Sequence, residues 1–342
     1  MNGSYILETG ALTFGMRVQN PFVACMHHQD AYPTGNRQME PTYYIEGREQ
    51  GNDFDHSAPW RMYHGETVPG FPVHPHRGFE TVTVVLRGFV DHSDSHGATG
   101  RYGDGDVQWM TAGAGLQHAE MFPLLSETGE NPLELFQVWL NLPRKSKFAD
   151  PHYKMLWNEE IPVLDIGDPQ GRKTTLRLIA GQYGEAKAPP PNPASWAADP
   201  ANHVGIWLLT LEPGAVFTIP AVSETLSRTL YYYEGDTLTA DDALLQNRSY
   251  AHLAGGADIT LRNGAAPSKL LLLEGEPINE PVVSRGPFVM NSPEEIAEAF
   301  ADYRATRFGG WPWARPDPVN PREQGRFARY KDGSLHLPPK KP

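Results

Sequence analysis

Two short patterns in this chain carry the donor atoms of a metal centre: His74-Pro75-His76 and His118-Ala119-Glu120. In a β-strand, residues i and i+2 point to the same face, so each pattern offers two donors on one side of a sheet. If the two strands face one another across a barrel, His74, His76, His118 and Glu120 converge on a single point. Three imidazoles and one carboxylate are a borderline set, suited to iron, zinc, copper or nickel rather than to calcium or magnesium. An HxH pair alone is as readily a hydrogen-bonded structural pair as a ligand pair, and the HxE pattern on a second strand moves the reading toward a metal.

The residues around the patterns are read by the same parity. Arg77 lies on the face opposite His76, where solvent or an acidic partner is expected. His92 and His96 fall near a turn and read as surface residues. Phe79, Met110, Met121 and Phe122 suit a pocket lining and core packing equally. The run ETVTVVLRGFV over residues 80–90 is rich in Val and Thr, as a half-buried barrel strand turning at Gly88 would be. A second strand is expected over residues 107–110. Gly113 and Gly115 precede the second donor pair and allow a tight backbone approach. They are no phosphate loop, since neither a Lys-Ser/Thr pair nor an amphipathic helix follows.

The rest of the chain must build the scaffold. Its 342 residues suffice for two domains, and 33 Gly and 32 Pro punctuate many short apolar runs, the pattern of an all-β fold. Lys and Arg total 29 against 41 Asp and Glu, a net charge of -12 that argues against direct nucleic-acid binding. Cys25 is the only cysteine, so no intramolecular disulfide forms; it closes an apolar run and reads as a buried filler. A reducing, cytoplasmic location is expected. Neither a signal-peptide pattern nor an apolar run of about 18 residues is present, so no membrane span is expected.

In chain order, residues 5–18 read as strand, turn and strand. Residues 27–70 turn polar and lose their periodicity, as a long loop or insertion would. His27, His28, Asp30, Asp53, Asp55, His56 and His64 lie there and read as solvated loop residues. An apolar strand is expected over 133–143, and a polar crossing between domains over 144–171. Strands follow at 174–180, 203–212, 216–220, 229–233, 258–261 and 269–274, in a second β-rich half with neither HxH nor HxE. The proline-rich stretch 185–202 reads as a loop or an extended cover. One helix is clear over 293–304: Ser292 as N-cap, Pro293 at its first position, Glu295 completing a capping box, and a stripe of Ile296, Ala299, Phe300 and Tyr303. The tail 311–342 is expected to drape over the surface or to be partly disordered. The expected division is thus 1–145, a metal-binding barrel with the insertion 27–70; 146–310, a metal-free barrel with the helix; and the tail.

HPHRGFETVTVVLRG, followed by GDVQWMTAGAGLQHAEMFP, resembles the pirin family of the cupin superfamily. The late segment LLLEGEPINEPVVSRGPFVMNSPEEIAEAFADYRATRFGGWP is similar to that family's ending. The resemblance covers most of residues 70–312; the polar stretch before Gly70 and the tail after Trp313 depart from it. It implies a bicupin, all-β with two cupin-type barrels, a short C-terminal helix and one metal in the N-terminal barrel. Carried over residue by residue, the ligands are His74, His76, His118 and Glu120. Glu80 stands where many other cupins place a carboxylate ligand; here it is expected to support the site or the fold. Family members are described as iron-binding, which makes Fe(II) the first expectation, with Ni, Cu, Zn, Co and Mn as alternatives. Some show quercetin 2,3-dioxygenase activity, and others act as co-regulators. The resemblance therefore implies a metal-dependent dioxygenase acting on a flavonol or related enolisable substrate with O2, Glu120 taking the substrate's proton. Its alternative is a non-enzymatic metal-binding co-regulator with a protein partner. Non-oxidative metal chemistry is a third reading of the same pocket.

Overall fold

The run of Val and Thr that follows the first histidine pair forms the strand Phe79–Arg87, buried at every position from Phe79 to Val85. Continuous burial without alternation means that both faces of the strand are covered, as in a barrel wall under further layers. This computed structural model describes residues 5–42 and 47–340. Residues 43–46 of the polar stretch and 341–342 of the tail lie outside the described residues.

The chain divides into two compact units, and not sequentially. A histidine unit takes Met26–Val138, Leu142–Glu159 and the chain from Glu280 on; a second unit takes the chain up to Cys25, Trp139–Asn141 and Glu160–Asn279. A single boundary at residue 145 does not describe this division, in which several stretches change unit along the chain. The N-terminal strand Ile6–Ala11 is hydrogen-bonded to Ser249–Ala254 and edges the second unit's sheet. The helix Pro293–Thr306 belongs to the histidine unit.

In the histidine unit, one sheet has the order His152–Leu156, Val107–Thr111, Phe79–Arg87, Asn131–Asn141, Phe22–Tyr32. The other runs Leu335–His336, Phe327–Arg329, Thr99–Gly103, Phe89–Asp94, Leu116–Met121, Gly70–His76. The tail is therefore not a loose drape: Phe327–Arg329 pairs with Thr99–Gly103. Arg101 anchors it, donating to the carbonyls of Asn320 (2.9 Å), Pro321 (2.9 Å) and Gln324 (2.8 Å) while Asp91 grips its other face through two bonds of 2.7 Å.

The polar stretch after residue 27 also differs from the expected solvated loop. His27, His28 and Asp30 belong to the strand Phe22–Tyr32. Asp30 is buried and accepts hydrogen bonds from Arg61 Nε (2.9 Å) and Tyr63 Oη (2.8 Å). Asp53 is buried too, taking Arg48 Nη1 and the Met62 N–H, both at 2.8 Å. His27 Nε2 lies 3.1 Å from Glu134 Oε1, and His28 packs against Tyr63, Phe71 and Phe122. Polar groups enter a core when each finds its partner there, and hydropathy cannot register such pairing. Asp55, His56 and His64 are exposed, as expected.

The second unit holds a seven-stranded sheet in the order Ile6–Ala11, Ser249–Ala254, Ser227–Glu234, Ser268–Gly275, Gly205–Leu211, Lys173–Ala180, Val163–Gly167. A four-stranded sheet orders Val216–Ile219, Ile259–Asn263, Leu238–Ala240 and Ala243–Leu245. Leu176, Leu178, Trp207, Leu209, Phe217, Leu230 and Leu272 belong to its core. Cys25 is buried with Sγ 3.6 Å from Met16 Sδ, and burial pushes its thiol pKa upward, as an inert filler requires.

The helix Pro293–Thr306 starts as its capping residues dictate, with Ser292 Oγ accepting the Glu295 N–H at 3.2 Å. Glu295 returns the contact one residue further back than a standard box, accepting the Asn291 N–H at 2.8 Å. Ile296 and Ala299 bury against Phe288, Met290 and Phe308, with Phe300 and Tyr303 alongside. Among the described residues no helix is long and apolar enough to cross a membrane.

Candidate metal centre

Both donor patterns lie on strands, but those strands are antiparallel neighbours rather than facing walls. Gly70–His76 pairs with Leu116–Met121, placing Phe71 opposite Glu120 and His74 opposite His118. The register shifts between these pairs: three steps on one strand match two on the other. This bulge puts His74, instead of Val73, opposite His118, and re-aims the strand at the point where it matters chemically. The glycines before the second pattern do allow a close approach. Gly115 sits at φ +126°, and a Cβ there would lie 2.8 Å from the Phe308 ring.

Ligand nitrogens of His74, His76 and His118 all lie within 4.8 Å of one another. His74 Nδ1 is 2.8 Å from the Pro72 carbonyl oxygen, and His76 Nδ1 is 3.4 Å from that of Pro287. An Nδ1–H given to a carbonyl leaves the Nε2 lone pair free to bind an ion. His118 is fully buried, and among the described residues neither of its ring nitrogens has a hydrogen-bond partner. Burial pushes the His118 and His76 pKa values well below the ordinary 6.5, helped by repulsion from neighbouring imidazoles. Burial likewise lowers His74 to about 4. All three are therefore neutral near pH 7, the form that ligates. A divalent cation would satisfy the orphaned His118 nitrogen, so the donor set fits a metal.

Glu120 borders this group. Its Oε2 lies 3.8 Å from His118 Nε2 and accepts from Gln137 Nε2 at 2.8 Å, while Thr83 Oγ1 donates to Oε1 at 3.1 Å. Burial raises its pKa against the opposing pull of His92, Thr83, Gln137 and Tyr102. Strand parity had singled out Glu120 but not Gln137, whose signal is a polar residue breaking the apolar run Phe136-Gln137-Val138.

His92 is no surface residue. It is fully buried, stacks on Tyr153 with ring centroids 4.7 Å apart at 8°, and sits 5.6 Å from the His118 ring. Its strand pairs with Leu116–Met121, with His92 opposite Glu120, and its Nε2 is 3.4 Å from Asp94 Oδ2. His96, one turn on, is exposed as expected. Arg77 meets the acidic partner anticipated for it, Asp302, at 2.7 Å, donates to the Ala114 carbonyl at 2.7 Å and lies over the Phe308 ring. Glu80 is buried outside the histidine group and accepts from Thr111 Oγ1 at 2.7 Å and Trp109 Nε1 at 3.1 Å, a structural role. Phe79 packs 5.0 Å from the His76 ring, Met110 clusters with Ala112 and Leu116, and Met121 and Phe122 are buried.

Residues 35–140 match the family described as Pirin, and residues 206–309 match the Pirin C-terminal cupin domain. A Pseudomonas aeruginosa protein named "Putative quercetin 2,3-dioxygenase" is 35% identical over 254 residues, 74% of this chain and 84% of that one. Human pirin is 34% identical over 268 residues, covering 77% of this chain and 86% of its own. The crystal structure of a quercetin 2,3-dioxygenase from Acinetobacter baumannii superposes with a TM-score of 0.69 at 28% identity, over 89% of this chain and 98% of that one. With both cupin halves matched in order, and with relatives matched over most of their length, the chain belongs to the pirin family.

Proposed function

We propose that this protein is a metal-dependent dioxygenase of the quercetin 2,3-dioxygenase type, acting on a flavonol or a related enolisable ring compound with O2. The observation that carries the reading is the convergence of three neutral imidazoles within 4.8 Å, two of them oriented by hydrogen bonds, with the buried carboxylate of Glu120 beside them. The similarity to the Acinetobacter enzyme supports the substrate class. His74, His76 and His118 would hold the ion, with Glu120 as a fourth ligand. Fe(II) is the first expectation, and Ni, Cu, Zn, Co and Mn are alternatives. When bound, the ion supplies Lewis-acid and redox chemistry toward an enolate and O2.

The chain's own residues handle the proton. Glu120 accepts it from the substrate hydroxyl, and burial, which raises the pKa of this carboxyl, favours its keeping the proton. Gln137 and Thr83 hold the carboxylate in place. The single buried Cys25 is consistent with work in a reducing cytoplasm.

The test is anaerobic titration of metal-loaded protein with quercetin, followed by measured O2 uptake and detection of carbon monoxide. Glu120→Gln is expected to abolish turnover while much of the metal stays bound; unchanged turnover removes Glu120 from its role. Stoichiometric metal with no turnover across several flavonols would overturn the enzyme reading in favour of a metal-binding co-regulator.

A further inference from the structure

The second unit has a cavity of its own, about 540 Å3 in volume. The proline-rich stretch 185–202 supplies part of its wall through Pro189, Pro190 and Pro191, and Tyr183 stands on the short hairpin Gln182–Tyr183 and Ala186–Lys187. Trp207 and Glu274 also line it. A cavity of this size with mainly apolar walls and a few polar groups is the usual form of a small-molecule site.

Gln182, Lys187, Asp199 and His203 also line it, and the charge of Glu274 is balanced from behind the wall. Glu274 and Arg228 are both buried, and Arg228 Nε donates to Glu274 Oε2 at 2.7 Å, so the two charges cancel. Gly205 is the strand partner of Glu274. A Cβ on Gly205 would lie 2.7 Å from Glu274 Cγ, 3.0 Å from Glu274 Oε1 and 3.2 Å from Trp207 Nε1, so no side chain fits there and the acceptor and the donor lie close together beside the glycine. The indole N–H of Trp207 is buried and has no hydrogen-bond partner among the described residues. An indole nitrogen can only donate, and a buried donor left unpaired is costly. The Tyr183 ring stands edge-on to Trp207, with centroids 5.7 Å apart at 87°.

We propose that this cavity binds an uncharged, hydroxylated ring compound, whose hydroxyl oxygen accepts from Trp207 Nε1 and whose hydroxyl proton is given to Glu274 Oε1. One hydroxyl group is both donor and acceptor, and so answers both atoms beside Gly205. The carboxylate, paired with Arg228, asks for a hydrogen-bond donor rather than a cation, the lining Lys187 and Asp199 carry opposite charges, and proline and aromatic faces suit the flat side of a ring. Phenols and pyranose sugars share this chemistry.

The probes are phenol and methyl β-glucoside, titrated calorimetrically into the intact metal-loaded protein and into His118→Ala. Binding of either probe to both proteins is expected; phenol alone assigns an aromatic ligand, the glucoside alone a sugar. Trp207→Phe keeps the ring and removes the N–H, and is expected to weaken binding about fivefold, the worth of one neutral hydrogen bond. Tyr183→Ala, at a part-buried position, gives a second loss if the core variant folds poorly. Binding confined to protein with an intact His118 would place the ligand at the histidines and overturn the proposal. So would no binding of either probe at millimolar concentration, or affinities within twofold of wild type in both Trp207→Phe and Tyr183→Ala.

Discussion

The two barrels answer the same electrostatic question in opposite ways. In the second unit a buried carboxylate, Glu274, is met by a buried guanidinium, Arg228, whose Nη2 goes to the Pro220 carbonyl at 2.9 Å. In the histidine unit the buried carboxylate Glu120 has no guanidinium or ammonium partner among the described residues: Gln137 and Thr83 donate to it and His92 lies opposite it, beside three imidazoles that burial keeps neutral. One barrel carries its own cation, and the other presents three imidazoles that could take one from outside. Similar β scaffolds thus differ in how the buried carboxylate is balanced, and the proposed metal dependence of the first rests on that difference.

The largest effect should come from removing the orphaned imidazole. His118→Ala is expected to abolish turnover and to weaken metal binding by more than about 100-fold, beyond the range seen for supporting residues alone. Elemental analysis and chelator competition measure it. Stoichiometric, tightly held metal in this variant would break the comparison, because the histidine barrel would then not depend on an external cation at these residues.

The second barrel is tested by taking its internal cation away. Arg228→Met leaves Glu274 buried and unpaired and should cost about 3–5 kcal/mol, whereas Arg228→Met with Glu274→Leu should recover most of that loss. Urea unfolding of both variants reads the difference. Equal stability of single and double variants would mean that the pair does not balance charge as argued. A smaller effect is expected at Gln137: Gln137→Leu frees Glu120 from its 2.8 Å hydrogen bond and should lower turnover about 10–100-fold with metal retained. Loss of metal in step with activity would instead make Gln137 part of the holding scaffold.

What the sequence made legible was local. Strand parity named His74, His76, His118 and Glu120, and Ser292, Pro293 and Glu295 announced the helix start, because these signals span only a few residues. What it hid depends on partners far along the chain. His92 is buried by Tyr153, and Asp30 by Arg61 and Tyr63. The tail is bound through Arg101, and the first strand joins a sheet through Ser249–Ala254. The adjacency of the two donor strands was equally hidden: period 2 reports which face a side chain takes, and says nothing of which strand lies next door.

The smallest predicted effect separates the histidine barrel's acid response from that of the rest of the protein. Burial holds His74 at a pKa of about 4 in the folded state, against an ordinary value of 6.5. Between those two values the unfolded chain binds more protons at this site than the folded one, so stability falls as pH drops from 6.5 toward 4 and is fully present above 6.5. For chelator-treated protein, lowering the pH from 7 to 5.5 should cost about 1 kcal/mol through His74 alone. That corresponds to a fall of about 2–4 °C in Tm. His74→Asn removes the titrating group and should lose correspondingly less over the same interval. Thermal melts of the two proteins at both pH values decide the matter: identical losses would show that His74 is not held neutral by burial, and the contrast between an ion-seeking barrel and a self-neutralised one would then rest on His76 and His118.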